Sequence, residues 1–398
     1  LYLSDASGFW NFQRWDGRAT RELHPASHDF CGPLWVLAPV PYTVIDAGRI
    51  GCTWLVDGSA RLGVLDFEAD GPGPGRLTEV SSEAVAAALS GTGPVTLALL
   101  GYPTRPAELV ELDWDTGDQT TLLRAAPSGL DPAMVARARP FSWESPDGPV
   151  HGWYYPPTHS GVVPPEGVSP PVQVWSHGGP TAFSTPGFEI AVQFWTTRGI
   201  GILDVNYSGS AGYGRAYRER LRGNWGVADV RDCVAGAQAL VAAGLADPDR
   251  LSIRGSSAGG FTTLAALTGS EVFAAGISLY GIGDLEALVR DSHKFEAHYL
   301  DGLIAPYPAG REIYRERSPL HHLDRLNCPM LILQGRKDTV VPPSQAQALA
   351  DAVQSRGLAA ELIWFDDEGH GFRRAESIIA TAEAALAFLG RVHGFDPA

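Results

Sequence analysis

Residues 250–261 read RLSIRGSSAGGF. An apolar run ends in a cluster of small residues, and the helix-like GFTTLAALTG follows at 260–269. Gly255 and Gly259 flank Ser257 in G-x-S-x-G register. In that pattern the serine sits on a sharp strand-to-helix turn with its hydroxyl exposed above a sheet. The flanking positions stay small because neighbouring backbone passes close. Ser256 is adjacent but lacks this spacing. An ordinary small-residue turn would read much the same, so the segments around it have to decide.

From 172 onward, short apolar runs alternate with segments of helical periodicity. Strands are expected at 172–176 (VQVWS), 199–206, 250–255, 274–280, 329–335 and 360–366. Helical segments lie between and after them, at 216–244, 260–269, 343–357 and 377–394. Apolar strands joined by crossover helices predict a parallel sheet covered on both faces. Chemistry in such a sheet gathers beyond the carboxyl ends of the strands.

Three residues fall there in a telling order. Ser257 follows RLSIRG, Asp338 follows PMLILQGRK and His370 follows AELIWFDDEG. Ser…Asp…His is the chain order of α/β-hydrolases, unlike that of the two common serine-protease folds. A serine hydroxyl is a poor nucleophile until a base takes its proton, and that base needs a partner to hold its tautomer. His370 is the expected base and Asp338 its partner. Asp366 and Asp367 are rivals for the acid, but they share His370's own loop, whereas Asp338 follows a separate strand. VWSHGGPTA at 174–182 supplies a Gly-Gly pair after the first parallel strand. Its backbone N–H can face a developing oxyanion beside the N–H that follows the nucleophile. Gly179 and Ala258 are the expected donors, with Gly178 the alternative to Gly179.

The first 130 residues read differently. Short alternating segments broken by D-G and T-G pairs predict antiparallel hairpins. Related stretches at 11–17, 61–71 and 108–118 recur about every 50 residues, a period that suits four-stranded propeller blades. Two or three blades fit here, so the chain is expected to start mid-propeller. The strand edge near Leu1 is then expected to be covered by a further N-terminal propeller segment or by a second copy of the chain. GLDPAMVARARP at 129–140 reads as the crossing between domains, and 141–157 as a hairpin around Pro146-Asp147-Gly148. The expected organisation is a partial β-propeller over 1–135 and an α/β-hydrolase catalytic domain over 136–398.

Composition narrows the function. The 398 residues carry 30 Lys plus Arg against 45 Asp plus Glu, a net charge of −15, which argues against a nucleic-acid surface. No apolar run is long enough to span a bilayer. Cys31, Cys52, Cys233 and Cys328 lie far apart, read as buried thiols, and suggest neither a disulfide framework nor a zinc site. His321 and His322 are adjacent and point in different directions on a helix, so no metal is expected, and no cofactor. The chain starts at Leu1 inside a strand-like segment; a cytoplasmic location is expected. Trp225 is expected to pack, and Asp229 with Asp232 to cap or ion-pair.

HGGP, NYSGSAGYGRAY, NWGVADVRD, RGSSAGGFTTLAAL, LQGRKDTVVPPSQA and DEGHGF occur in this order. Over roughly 140–395 the chain resembles the prolyl oligopeptidase family of serine peptidases, in particular the acylaminoacyl peptidase and dipeptidyl aminopeptidase branch. The resemblance implies a peptidase for short peptides or aminoacyl amides, with a propeller that limits entry of folded proteins. It places the NYSGSAGYG loop beside the active site and Tyr207 near bound substrate. Residues 279–303 follow a strand and are expected to cover the site. Tyr280, Phe295 and Tyr299 are candidate walls of the S1 pocket, with core packing the competing reading. A serine esterase or aryl-amidase on the same fold is the alternative activity, and an inactive binding scaffold a third.

Overall fold

In a computed structural model the chain is described throughout except at residues 37–39, 69–72, 126–128, 163, 164, 166, 292, 293, 295, 356, 358, 397 and 398. The chain divides into two compact units, one of 1–139, 181–193 and 210–219, the other of 140–180, 194–209 and 220–398.

Alternation builds the first unit. Among the described residues its strands form three antiparallel sheets. These are β1 (Tyr2–Ser4), β2 (Asn11–Trp15) and β3 (Thr20–Glu22); β4 (Tyr42–Val44), β5 (Arg49–Val56), β6 (Ser59–Asp66) and β7 (Arg76–Glu79); and β8 (Ala86–Ser90), β9 (Val95–Gly101), β10 (Glu108–Asp113) and β11 (Gln119–Arg124). The three recurring segments fall on β2, β6 and β10, one in each sheet, as the blade-like period requires. Along β9 the buried residues Thr96, Ala98 and Leu100 alternate with the exposed Val95, Leu97 and Leu99. Helix α1 (Ile190–Thr196) begins in the 181–193 segment, and α2 (Gly214–Glu219) lies in the 210–219 segment. Backbone bonds hold that second segment within the unit: Gly214 N–H donates to the Asp29 carboxylate at 2.9 Å and Ala211 N–H to the Ala182 carbonyl at 3.0 Å.

Among the described residues the second unit is built on an eight-stranded sheet. Its strands are β12 (Arg139–Ser145), β13 (Gly148–Tyr155), β14 (Val172–Ser176), β15 (Gly201–Asn206), β16 (Leu251–Ser256), β17 (Ala275–Leu279), β18 (Met330–Gly335) and β19 (Ala360–Phe365), in the order β12-β13-β15-β14-β16-β17-β18-β19. From β15 to β19 neighbouring strands are parallel, while β13 pairs with β15 antiparallel. The 141–157 hairpin is thus an extension of this sheet.

Helices α3 (Ala228–Ala242), α4 (Ala258–Gly269), α5 (Leu285–Asp291), α6 (Tyr299–Leu303), α7 (Arg311–Arg317), α8 (Pro343–Ser355) and α9 (Ala375–His393) complete the unit. All six residues of β18 and all five of β17 are buried. That is why these strands read as continuous apolar runs rather than alternating ones. Trp225 is buried against Phe261, ring centroids 4.7 Å apart, so it packs. Asp232 accepts from Ser208 N–H at 2.8 Å and from the Ser145 hydroxyl at 2.7 Å, and Arg231 lies 3.3 Å away. Among the described residues no helix is long and apolar enough to cross a membrane.

Candidate active site

The turn that carries Ser257 begins with a steric demand. A β-carbon on Gly255 would stand 2.1 Å from the Gly259 carbonyl oxygen, and one on Gly259 would stand 2.0 Å from that of Ser176. Only glycine fits at these positions. Between them Ser257 adopts φ 55° and ψ −120°, outside the regions that L-residues favour. Its N–H donates to the Leu279 carbonyl at 3.0 Å, fixing the turn to the end of β17. The hydroxyl is thereby aimed away from the sheet at the start of α4.

Ser257 Oγ lies 2.9 Å from His370 Nε2, and His370 Nδ1 lies 2.9 Å from Asp338 Oδ2. Residues 113 and 32 positions apart in the chain form one hydrogen-bonded row. Asp338 is buried, and its carboxylate is fully engaged. Oδ1 accepts from the Val340 and Val341 N–H groups at 2.9 Å each, while Oδ2 also accepts from Gln334 Nε2 at 3.2 Å. A carboxylate held by this many donors cannot swing away from the imidazole. The rivals Asp366 and Asp367 face elsewhere, paired at 2.7 Å with Arg336 and Lys337 respectively.

The HGGP loop runs beside Ser257. A β-carbon on Gly178 would stand 3.8 Å from that of Ser257, and Gly179 takes φ 116°, a left-handed conformation. Ala258 opens α4, so its N–H has no intrahelical acceptor, and the positive end of the helix dipole lies at the same point. Tyr207 sits behind the loop. It is fully buried, and its hydroxyl bonds the carbonyls of His177 at 3.0 Å and Pro180 at 2.9 Å while its ring stacks on His177. A fully buried side chain lines no open pocket, so the substrate contact expected of Tyr207 becomes support for the loop. Burial pulls the His177 imidazole down to about 4, so it stays neutral there. The Tyr299 hydroxyl donates to the Gly179 carbonyl at 3.2 Å, which brings that residue to the site. Tyr280 packs edge-on against His370 with ring centroids 4.9 Å apart. Phe295 lies outside the described residues.

Two residues of the site escaped the sequence reading. Gln334 is the extra donor to Asp338. Glu368 is buried and accepts from the backbone N–H groups of Arg373 at 3.1 Å and Arg374 at 2.9 Å, pinning the chain just beyond His370. The Arg374 N–H, with help from Ser377 and Arg373, holds its carboxyl below the ordinary range. A glutamate two residues before the expected base was the available signal. Among the described residues no cluster of His, Cys, Asp and Glu is placed to hold a metal ion.

Sheet order, nucleophile turn and hydrogen-bonded Ser–His–Asp row together define an α/β-hydrolase. The profile of the prolyl oligopeptidase family matches residues 186–395, and the chain belongs to that family. It is 43% identical to a puromycin-hydrolyzing peptidase of Mycobacterium tuberculosis, with a TM-score of 0.94, over 99% of this chain and 60% of that one. A solved puromycin hydrolase is 38% identical, with a TM-score of 0.93, over 98% of this chain and 59% of that one. Dipeptidyl aminopeptidase BIII of Pseudoxanthomonas mexicana is 27% identical over 411 residues, 99% of this chain and 58% of that protein. The chain thus spans about 60% of the length of these relatives.

Proposed function

We propose that the protein is a serine peptidase that cleaves short peptides or aminoacyl amides at their N-terminal amide bond through an acyl-enzyme. The observation that carries this reading is the Ser257–His370–Asp338 row, with both hydrogen bonds at 2.9 Å. In this reading Ser257 Oγ attacks the scissile carbonyl while His370 Nε2 takes its proton. The negative charge that develops on the carbonyl oxygen faces the Ala258 N–H and an N–H of the Gly178–Gly179 pair. His370 then gives its proton to the departing amine, leaving the acyl group on Ser257. Water, deprotonated by the same imidazole, releases the acid and restores the serine. Asp338 holds the tautomer and stabilises the imidazolium throughout.

The peptidase and puromycin-hydrolyzing relatives support an aminoacyl amide as the substrate class. Four buried cysteines, none in a disulfide, support a cytoplasmic location. The exposed apolar row Val95, Leu97 and Leu99 supports the further proposal that another propeller segment or a second copy of the chain covers the all-β unit.

The test is a matched panel of chromogenic substrates offered to the full-length protein: free-amino single residues, free dipeptides, N-acetyl residues and one simple ester. Amide cleavage that Ser257→Ala abolishes supports the reading, and the panel names the branch. Turnover of the ester alone would replace it with an esterase on the same fold.

A further inference from the structure

Three non-glycine residues among those described have positive φ: Asp57, Ser257 and Tyr280. Asp57 sits in the two-residue turn between β5 and β6, where such a conformation is ordinary. The other two meet at the catalytic centre. An aromatic residue at φ 39° is an outlier that persists only when its surroundings over-determine it.

We propose that Tyr280 is a positioning residue that holds the His370 imidazole on the line between Ser257 and Asp338. The inference rests on the triad described under Proposed function.

β17 ends at Leu279, whose carbonyl accepts the Ser257 N–H at 3.0 Å, and the next residue leaves the strand with left-handed backbone. The Tyr280 N–H is held by the Leu333 carbonyl of β18 at 2.8 Å. That turn sends the ring toward the histidine loop, where it meets His370 at 4.9 Å and Phe372 at 5.2 Å, both edge-on. Phe372 packs in turn on Phe365, the last residue of β19, with centroids 4.5 Å apart. The ring is mostly buried, with the Ser256 side chain beside its hydroxyl and the Arg254 guanidinium close by, over the face of Trp175.

The imidazole needs such a wall. His370 lies between Gly369 and Gly371, the latter at φ 91°, so its own backbone restrains it little. Hydrogen bonds at its two nitrogens fix the ring along one line only and leave rotation about that line open. An aromatic edge against the ring closes that freedom. Misplacing a proton-transfer group by about 1 Å costs on the order of 100-fold in rate.

The experiment compares Tyr280→Leu, Tyr280→Met and Tyr280→Phe in the full-length protein on an amide substrate, with Ser257→Ala in parallel and unfolding curves for each. The two ring-less variants should lose about 10- to 100-fold in kcat with KM within about twofold, and Tyr280→Phe should keep most of the activity. If Tyr280→Leu does not fold, Tyr280→Met against Tyr280→Phe carries the same comparison. A raised KM with kcat intact makes Tyr280 a substrate wall and overturns the proposal, as does unchanged turnover. Full activity in Ser257→Ala would instead bring down the triad reading itself, which separates the two failures.

Discussion

The Lys337 N–H donates to the Glu368 carbonyl at 2.9 Å and so ties the loop carrying Asp338 to the loop carrying His370. Surface ion pairs cross the same gap, Arg336 to Asp366 and Lys337 to Asp367, each at 2.7 Å. A β-carbon on Gly335, where the first loop begins, would stand 2.5 Å from the Glu368 carbonyl oxygen. His370 and Asp338 therefore sit on two strand-end loops that are fastened side by side, and the geometry of each depends on the other.

Replacing Asp338 by Asn keeps the shape but lets the side chain donate to His370 Nδ1, which favours the wrong tautomer. Turnover should fall by roughly four orders of magnitude with little change in thermal stability. A loss of less than about tenfold in steady-state kinetics would remove Asp338 from the row.

Glu368 should show its role through pH. Its carboxyl is held low in the folded protein, so the stability it contributes is present above its ordinary value near 4.5 and is lost as the pH falls below it. Glu368→Gln should unfold at a lower temperature than the parent at neutral pH, with the gap closing toward pH 3. It should also lower kcat, because the segment after His370 loses its anchor. A gap that is constant across pH would contradict this.

Asp229 should behave in the opposite sense. Burial raises its carboxyl to about 6, against the lowering effect of the Thr262 hydroxyl at 2.6 Å and the Gly226 N–H at 2.7 Å. Its contribution is present below the ordinary value of 3.8 and is lost as the pH rises through about 6, leaving a buried carboxylate at neutral pH. Relative to the parent, Asp229→Asn should gain stability as the pH is raised from 4 to 7, by at most about 3 kcal/mol. Calorimetry across that range reads the sign directly, and a change in the opposite direction would falsify the assignment.

Gly259→Ala puts a methyl group 2.0 Å from the Ser176 carbonyl, where both neighbours are backbone and cannot rotate aside. The variant should be destabilised by about 3 kcal/mol or more, and any folded fraction should be inactive. An active, stable Gly259→Ala protein would mean that the turn relaxes more freely than its φ values imply.

The parallel sheet was legible because fully buried strands must be apolar along their whole length. The Val172–Ser176 strand falls where the apolar run VQVWS lies, and β18 within one residue of its run. Ser257 and Asp338 were legible for the same reason, each following such a run, and His370 because it follows the apolar run of the partly exposed β19. Gln334 and Glu368 were not, since they act through backbone amides and a neighbouring carboxylate that only the folded chain brings near. Nor was the membership of 181–193 and 210–219 in the first unit, which rests on bonds such as Asp29 to Gly214, 185 positions apart. The direction of the Tyr280 ring depends on one backbone angle that no local pattern announces. The apolar run extends through Tyr280, whereas the strand ends at Leu279.

β19 is the outermost strand on its side of the sheet, and every residue in it keeps some contact with solvent, unlike the wholly buried β18. Edge elements of this kind open locally at lower free energy than the core beside them. His370 hangs from the end of this strand, while the Ser257 turn is locked into the middle of the sheet. On warming, the placement of His370 would be lost first, with Ser257 still in place. In the proposed mechanism the upper temperature for activity is then set at the rim of the sheet, below the point at which its centre melts.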